Sequence, residues 1–262
     1  MEKYNKIISF QYKDNSKLSY GLLNLEKESV IEIDSIFDQN IINETPLNIK
    51  DIIFKCPVKP SKIIAIGLNY IDHAEEFKMS IPEEPILFLK ANSSLLNPEE
   101  YIVLPKISRR VDYEAELVLV VKDIVKNITE FEAPKHILGF TCGNDITARD
   151  LQKKDGQWTR SKSFDTFAPI GPWITKTVNI DPCNLNIIAK KSSVVVQCSN
   201  TKNMIFNPYK LLSFASNVMT LLPGDVIMTG TPKGVGPLAP GDVIEIEIEN
   251  IGTLRNYVID HK

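Results

Sequence analysis

The sequence predicts a β-rich α+β fold, on three observations. Short apolar or alternating runs that suit strands far outnumber stretches with helical spacing. The two kinds do not alternate in the regular strand–helix rhythm of a doubly wound sheet. Punctuation is dense, with 16 prolines and 12 glycines among 262 residues, which breaks the chain into short elements.

Taken in order, residues 6–12 and 18–23 read as a hairpin around the polar turn Asp14-Asn15-Ser16, followed by a third strand at 30–33 and a short helix. Cys56-Pro57-Val58-Lys59-Pro60-Ser61 is a linker or tight connection, because two prolines fix the backbone there. The apolar run 62–67 suits a buried strand. Further strands fit 85–90, 111–121, 136–142, 194–198, 226–229 and 243–249. Helices fit 71–77, 147–154 and 208–221. Residues 157–165 read as a loop in which Arg160 and Lys162 sit among aromatics.

Composition narrows the function classes. Hydrophobic content of 43% and charged content of 24% are those of an ordinary globular protein. A net charge of −3 without a dense Lys/Arg block speaks against nucleic acid as a partner, and with it against a metal-dependent nuclease. No apolar run reaches bilayer length, and the N-terminal segment turns polar too soon for a signal-peptide core. Cys56, Cys142, Cys183 and Cys198 are widely spaced, as expected of reduced thiols in a cytoplasmic protein.

The pair Glu114 and Glu116 carries the strongest chemical signal. On a strand, residues two apart share a face, and Val118 and Val120 continue that face. Like charges directed at an apolar interior lose hydration and repel, so they ask for a cation. All-oxygen ligands suit Mg²⁺ or Mn²⁺. Glu245, Glu247 and Glu249 show the same spacing, but strict alternation with isoleucine there marks a strand with one solvated face. Asp145, where an apolar strand gives way to a helix start, is a candidate third carboxylate. It reads as well as a helix-capping group beside Thr147.

Two further groups complete the candidates. If residues 71–77 are helical, His73 and Glu76 share a face, and a histidine held by a carboxylate is a common general base. The alternative for His73 is a hydrogen-bonded, partly buried helix residue. Lys162 offers a cation to an anionic substrate or is a solvated lysine. The Gly/Thr/Pro-rich segment 229–237 presents backbone N–H and hydroxyl groups, or is simply a turn; it lacks the phosphate-loop spacing.

Together these segments resemble the fumarylacetoacetate hydrolase family. The resemblance rests on Gly67-Leu68-Asn69-Tyr70-x-x-His73-Ala74-x-Glu76, Pro85-x-x-Phe88-x-Lys90, Asp112-Tyr113-Glu114-Ala115-Glu116-Leu117, Gly143-Asn144-Asp145-x-Thr147-Ala148-Arg149-Asp150-x-Gln152, Trp158 to Asp165, Ser199-Asn200-Thr201, Thr229-Gly230-Thr231-Pro232-x-Gly234-Val235-Gly236 and Ile251-Gly252-Thr253-Leu254, in that order. It implies a mixed β-roll catalytic domain over 58–262, preceded by a small N-terminal β domain over 1–57. It also implies a homodimer and one Mg²⁺ or Mn²⁺ per subunit held by Glu114, Glu116 and Asp145. His73 and Glu76 match its water-activating dyad. Lys162, Arg149, Gln152 and Thr231 match positions that contact substrate or shape its pocket, and 77–84 matches a short lid. The implied reaction is hydrolytic carbon–carbon cleavage of a β-diketo acid of the acylpyruvate or fumarylpyruvate type, giving pyruvate and a carboxylic acid. Alternatives are isomerisation of 2-hydroxyhepta-2,4-diene-1,7-dioate, tautomerisation or decarboxylation of oxaloacetate, and a non-catalytic binding role.

Overall fold

The computed structural model describes residues 4–178 and 180–261, and strands dominate it as the sequence predicts. The largest sheet runs, edge to edge, through Ile41–Asn48, Ser29–Ile33, Asn15–Asn24, Lys6–Tyr12, Ala168–Thr175, Ile137–Asn144, Ala115–Val121, Val226–Met228, Ile63–Ile66 and Leu87–Lys90. A second sheet orders Val194–Asn200, Asn186–Lys191, Val243–Ile248, Gly252–Asp260 and Tyr101–Leu104. Among the described residues four α-helices punctuate the strands: α1 (Ile71–Phe77), α2 (Arg149–Asp155), α3 (Thr159–Lys162) and α4 (Pro208–Val218). α4 starts as its sequence dictates. Pro208 occupies the first turn, where its missing N–H costs nothing, and the Asn207 side chain accepts the Lys210 N–H at 2.9 Å. No helix among the described residues is long and apolar enough to cross a membrane.

Ala115–Val121 explains its own continuous apolar run. Leu117, Leu119 and Val121 pack into the main core with Ile187, Ile246 and Leu254 of the second sheet. Val118 and Val120 face the other way, into a core built with Ile63, Ile170 and Met228. A strand buried on both faces has no polar side to display. Ile244, Ile246 and Ile248 are buried while the glutamates between them are partly exposed, so the second carboxylate series is a wet strand face.

Four elements differ from the sequence reading. The stretch 111–121 is two strands, Val111–Tyr113 and Ala115–Val121, broken at Glu114. The Glu114 N–H donates to Asn144 Oδ1 and the Ala115 N–H to Gln197 Oε1, both at 2.9 Å; side chains take the place of ladder partners. The expected short helix after the third strand is a turn at 36–38, followed by the strand Ile41–Asn48. Ser35 Oγ accepts the Asp38 N–H at 2.9 Å and closes that turn locally. Helix α2 begins at Arg149 rather than 147, because Thr147–Ala148 pairs with Val111–Tyr113 as a short strand. The loop expected at 157–165 contains α3, which delivers Lys162.

Candidate functional site

Strand register brings the site together. Ala115 pairs with Asn144, Val118 with Met228, and Met228 with Ala65. The chain leaving Asn144, Met228 and Ile66 therefore emerges beyond the same sheet end, around Glu114 and Glu116. These exits carry Asp145, Thr229 to Thr231 and Gly67 to Tyr70, which is why motifs distant in sequence meet.

The three acidic candidates converge. Glu114, Glu116 and Asp145 each place a carboxylate oxygen within 4.8 Å of the others, at 5%, 1% and 1% exposure. Their surroundings differ. Glu114 accepts from Lys162 Nζ at 2.8 Å, Arg149 at 2.5 Å and Thr147 Oγ1 at 3.2 Å. Burial would raise its pKa, but Lys162 and Arg149 override that and hold it below the carboxylate range. Asp145 accepts from Lys162 at 2.5 Å and from Lys90. It caps no helix, since α2 begins without a side-chain cap bond. Glu116 has one hydrogen bond, from the Gly230 N–H at 2.8 Å, and among the described residues no cation pairs with it. Burial, then Asp145 and Glu114, push its pKa well above the usual value. A buried carboxylate facing two others without a cation of its own is what a divalent ion would satisfy, and the all-oxygen donor set suits Mg²⁺ or Mn²⁺. The residues fit the group.

Cations frame the carboxylates. The Lys162 ammonium is buried; Asp145 and Glu114 raise its pKa against the effect of burial. Two of its three donors are spent on Glu114 and Asp145, leaving one for a ligand. Arg149 donates from Nε to Asp112 at 2.9 Å, from one terminal nitrogen to Glu114 and from the other to Gln152 Oε1 at 2.7 Å. It thus organises the site more than it faces it. The last of these bonds turns the Gln152 amide nitrogen away from Arg149.

His73 and Glu76 share a face of α1, with His73 Nδ1 3.4 Å from Glu76 Oε2. That is ion-pair distance without hydrogen-bond geometry, and Nδ1 is a buried atom with no hydrogen-bond partner. Burial lowers the His73 pKa, partly offset by Glu114 and Glu76. Glu76 also accepts the Gly234 N–H, 3.2 Å from each oxygen. Thr231 is buried and its hydroxyl accepts from Gln197 Nε2 at 2.9 Å.

A cavity of about 330 Å³ joins these groups. His73, Glu114, Glu116, Arg149, Gln152, Lys162 and Thr231 line its polar side; Phe77, Met79, Ile86, Phe88 and Trp158 line its apolar side. Glu76 and Asp145 are not among the lining residues. A larger depression of about 880 Å³ at Trp173 and Lys6 holds no comparable convergence: Lys6 donates to Thr175, Asn250 and Ile251. Sequence reasoning missed Gln197, Asp112 and Lys90 as parts of the site. The pattern of alternating polar and apolar residues could not single out the first, and the other two lay inside quoted motifs without a role.

Comparisons with known proteins agree with this geometry. Residues 62–259 match the family model described as fumarylacetoacetate (FAA) hydrolase, C-terminal. A mitochondrial oxaloacetate tautomerase of Xenopus laevis is 44% identical over 228 residues, covering 83% of this chain and 72% of that protein. The crystal structure of a 5-carboxymethyl-2-hydroxymuconate delta-isomerase from Mycobacterium smegmatis superposes with a TM-score of 0.90 at 36% identity, covering 98% of this chain and 100% of the other. A maleylpyruvate hydrolase from Sphingobium sp. SYK-6, solved with manganese(II) and pyruvate, gives 0.81 at 25% identity, with 98% and 100% covered.

Proposed function

The chain belongs to the fumarylacetoacetate hydrolase family, and we propose that it is a divalent-metal-dependent enzyme that interconverts the keto and enol forms of a small 2-oxo acid of the oxaloacetate kind. The observation that carries this reading is Glu116: a buried carboxylate, facing Glu114 and Asp145, that pairs with no cation among the described residues. Glu114, Glu116 and Asp145 hold Mg²⁺ or Mn²⁺. Bound there, the ion supplies Lewis-acid stabilisation of developing enolate charge, about 3–5 kcal/mol.

The protein's own groups do the rest. The free donor of Lys162, the Thr231 hydroxyl and the Gln152 amide bind the substrate carboxylate and carbonyl oxygens. His73 is a neutral base at neutral pH, because burial lowers its pKa. Glu76 faces Nδ1 at ion-pair distance, which leaves Nε2 to take a proton from carbon and return it. Phe77, Met79 and Trp158 give the cavity an apolar wall, and displacement of water from it by a bound substrate strengthens each electrostatic contact inside.

Relatives above 40% identity support tautomerisation first, since two of them carry that activity in their names. Hydrolytic cleavage of an acylpyruvate or fumarylpyruvate is the second reading, supported by the same dyad and by the maleylpyruvate hydrolase with this fold. The subunit pairs as a homodimer, which light scattering would test.

One assay separates the reactions. Enol oxaloacetate, keto oxaloacetate, acetylpyruvate and fumarylpyruvate are each incubated with protein plus EDTA, Mg²⁺ or Mn²⁺. The expected result is metal-dependent enol–keto equilibration of oxaloacetate without pyruvate release. Pyruvate from the acylpyruvates alone would replace it with the hydrolase reading. Glu116→Ala should lose metal binding and turnover together; a variant that keeps metal-dependent activity would remove the ligand assignment.

A further inference from the structure

The site holds a second lysine with no counterpart among the substrate-facing groups. Lys90 ends the strand Leu87–Lys90, and its side chain is fully buried. It has two partners, Asp145 Oδ1 and the Ile146 carbonyl at 3.3 Å. It does not line the cavity, so it acts on any ligand there through Asp145. Asp145 thus carries an ammonium on each oxygen, Lys90 on Oδ1 and Lys162 on Oδ2. One would suffice to pair it, and burying an ammonium costs several kcal/mol before pairing.

The charge count gives that expense a purpose. With every carboxylate ionised, as a bound cation requires, Glu114, Glu116 and Asp145 are matched in number by Lys90, Lys162 and Arg149, while the buried Asp112, which Arg149 also contacts, is matched by Arg110. Counted in that state, the cluster's own charges sum to zero. Without Lys90 it would be an anionic cage with a stronger hold on a divalent cation.

We infer that Lys90 is a positioning residue that sets the charge of the site: it cancels the third carboxylate, loosens the hold on the divalent ion, and leaves the loaded site two positive charges in excess for a doubly charged 2-oxo acid to neutralise. This rests on the metal-dependent reading above. At a separation of about 7 Å and an effective dielectric constant near 20, one unit charge changes the binding of another unit charge by tens of fold, and that of a divalent ion by more.

The test is the sign of two shifts. Lys90→Met keeps the length of the side chain, and Lys90→Gln keeps a donor; both remove the charge. Mn²⁺ affinity is read by calorimetry on the metal-stripped proteins, KM on Mn²⁺-saturated ones, and folding by circular dichroism. The expected result is Mn²⁺ binding about tenfold or more tighter, with KM for oxaloacetate about tenfold or more higher. A role in packing alone would weaken both together, and that outcome overturns the inference. So does unchanged Mn²⁺ affinity, or failure of both variants to fold. Wild-type protein that takes up no Mn²⁺ overturns the metal reading itself, whereas wild-type uptake with parallel losses in the variants overturns only the role of Lys90.

Discussion

Arg149 is held from behind by Asp112: Nε lies 2.9 Å from Asp112 Oδ2, in a carboxylate with no exposed surface, and this aims the two terminal nitrogens at Glu114 and Gln152. Asp112 also pairs with Arg110 at 2.8 Å. Asp112→Asn keeps the shape and removes the charge. It should lower stability by about 2–4 kcal/mol, in the range for losing one partner of a buried pair, and reduce metal-dependent kcat/KM by about tenfold or more as Arg149 loses its aim. Urea unfolding in EDTA and steady-state kinetics measure the two separately. Full kinetics in a folded Asp112→Asn protein would mean that Arg149 needs no such support.

How much of this was legible in the sequence depends on the range of the interaction. The apolar part of the strand expected at 111–121 and helix α1 were readable because their patterns are local. The nine site candidates were readable because they fall in motifs, and the structure gathers them at one sheet end. The break at Glu114 was not, because its cause lies in Asn144 and Gln197, 30 and 82 residues away. The strands Ile41–Asn48 and Gly252–Asp260 escaped for a related reason. Thr45-Pro46 and the polar residues between Gly252 and Asp260 obscure alternation that only pairing with Ser29–Ile33 and Val243–Ile248 makes sense of.

Gln197 places Thr231. Its Oε1 accepts the Ala115 N–H and its Nε2 donates to Thr231 Oγ1 and to the Pro232 carbonyl at 2.8 Å. Gln197→Leu strands these buried groups, a loss of about 1–3 kcal/mol. With Thr231 free to rotate, substrate binding should suffer more than turnover: KM rises several-fold while kcat changes little. A drop in kcat at constant KM would assign Thr231 to the chemical step instead.

Asp225 anchors the connection before the strand Ile63–Ile66. It accepts the Ser61 N–H and hydroxyl at 2.9 and 2.6 Å, the Lys62 N–H at 3.0 Å and the Leu222 N–H at 2.8 Å, and pairs with the Lys62 ammonium. Burial would raise its pKa, yet the Lys62 and Ser61 bonds lower it. A carboxylate with a depressed folded pKa stabilises the protein above its unfolded value and loses that contribution as pH falls toward the folded value. Asp225→Asn should therefore cost about 1.5–3 kcal/mol near neutral pH, and its deficit against wild type should shrink below about pH 4. Unfolding curves across that range test it; a deficit that persists undiminished in acid would mean that shape, not charge, is what Asp225 contributes.

Gly230 ties the backbone to Glu116, one of the three clustered carboxylates. Its φ is +94°, and a Cβ there would lie 2.7 Å from Asn69 Cβ. Asn69 cannot yield, because it is fully buried and bonded to the Phe206 N–H, the Phe206 carbonyl and the Thr229 carbonyl. Gly230→Ala therefore meets both a left-handed backbone and an immovable neighbour, at a cost of about 2–4 kcal/mol. The strain is relieved by shifting the segment that carries the Gly230 N–H, the only hydrogen-bond donor to Glu116 among the described residues. Mn²⁺ affinity should fall along with stability, and added Mn²⁺ should raise the melting temperature of the variant less than that of the wild type. Equal Mn²⁺ stabilisation of the two proteins would show that Glu116 keeps its place without this bond.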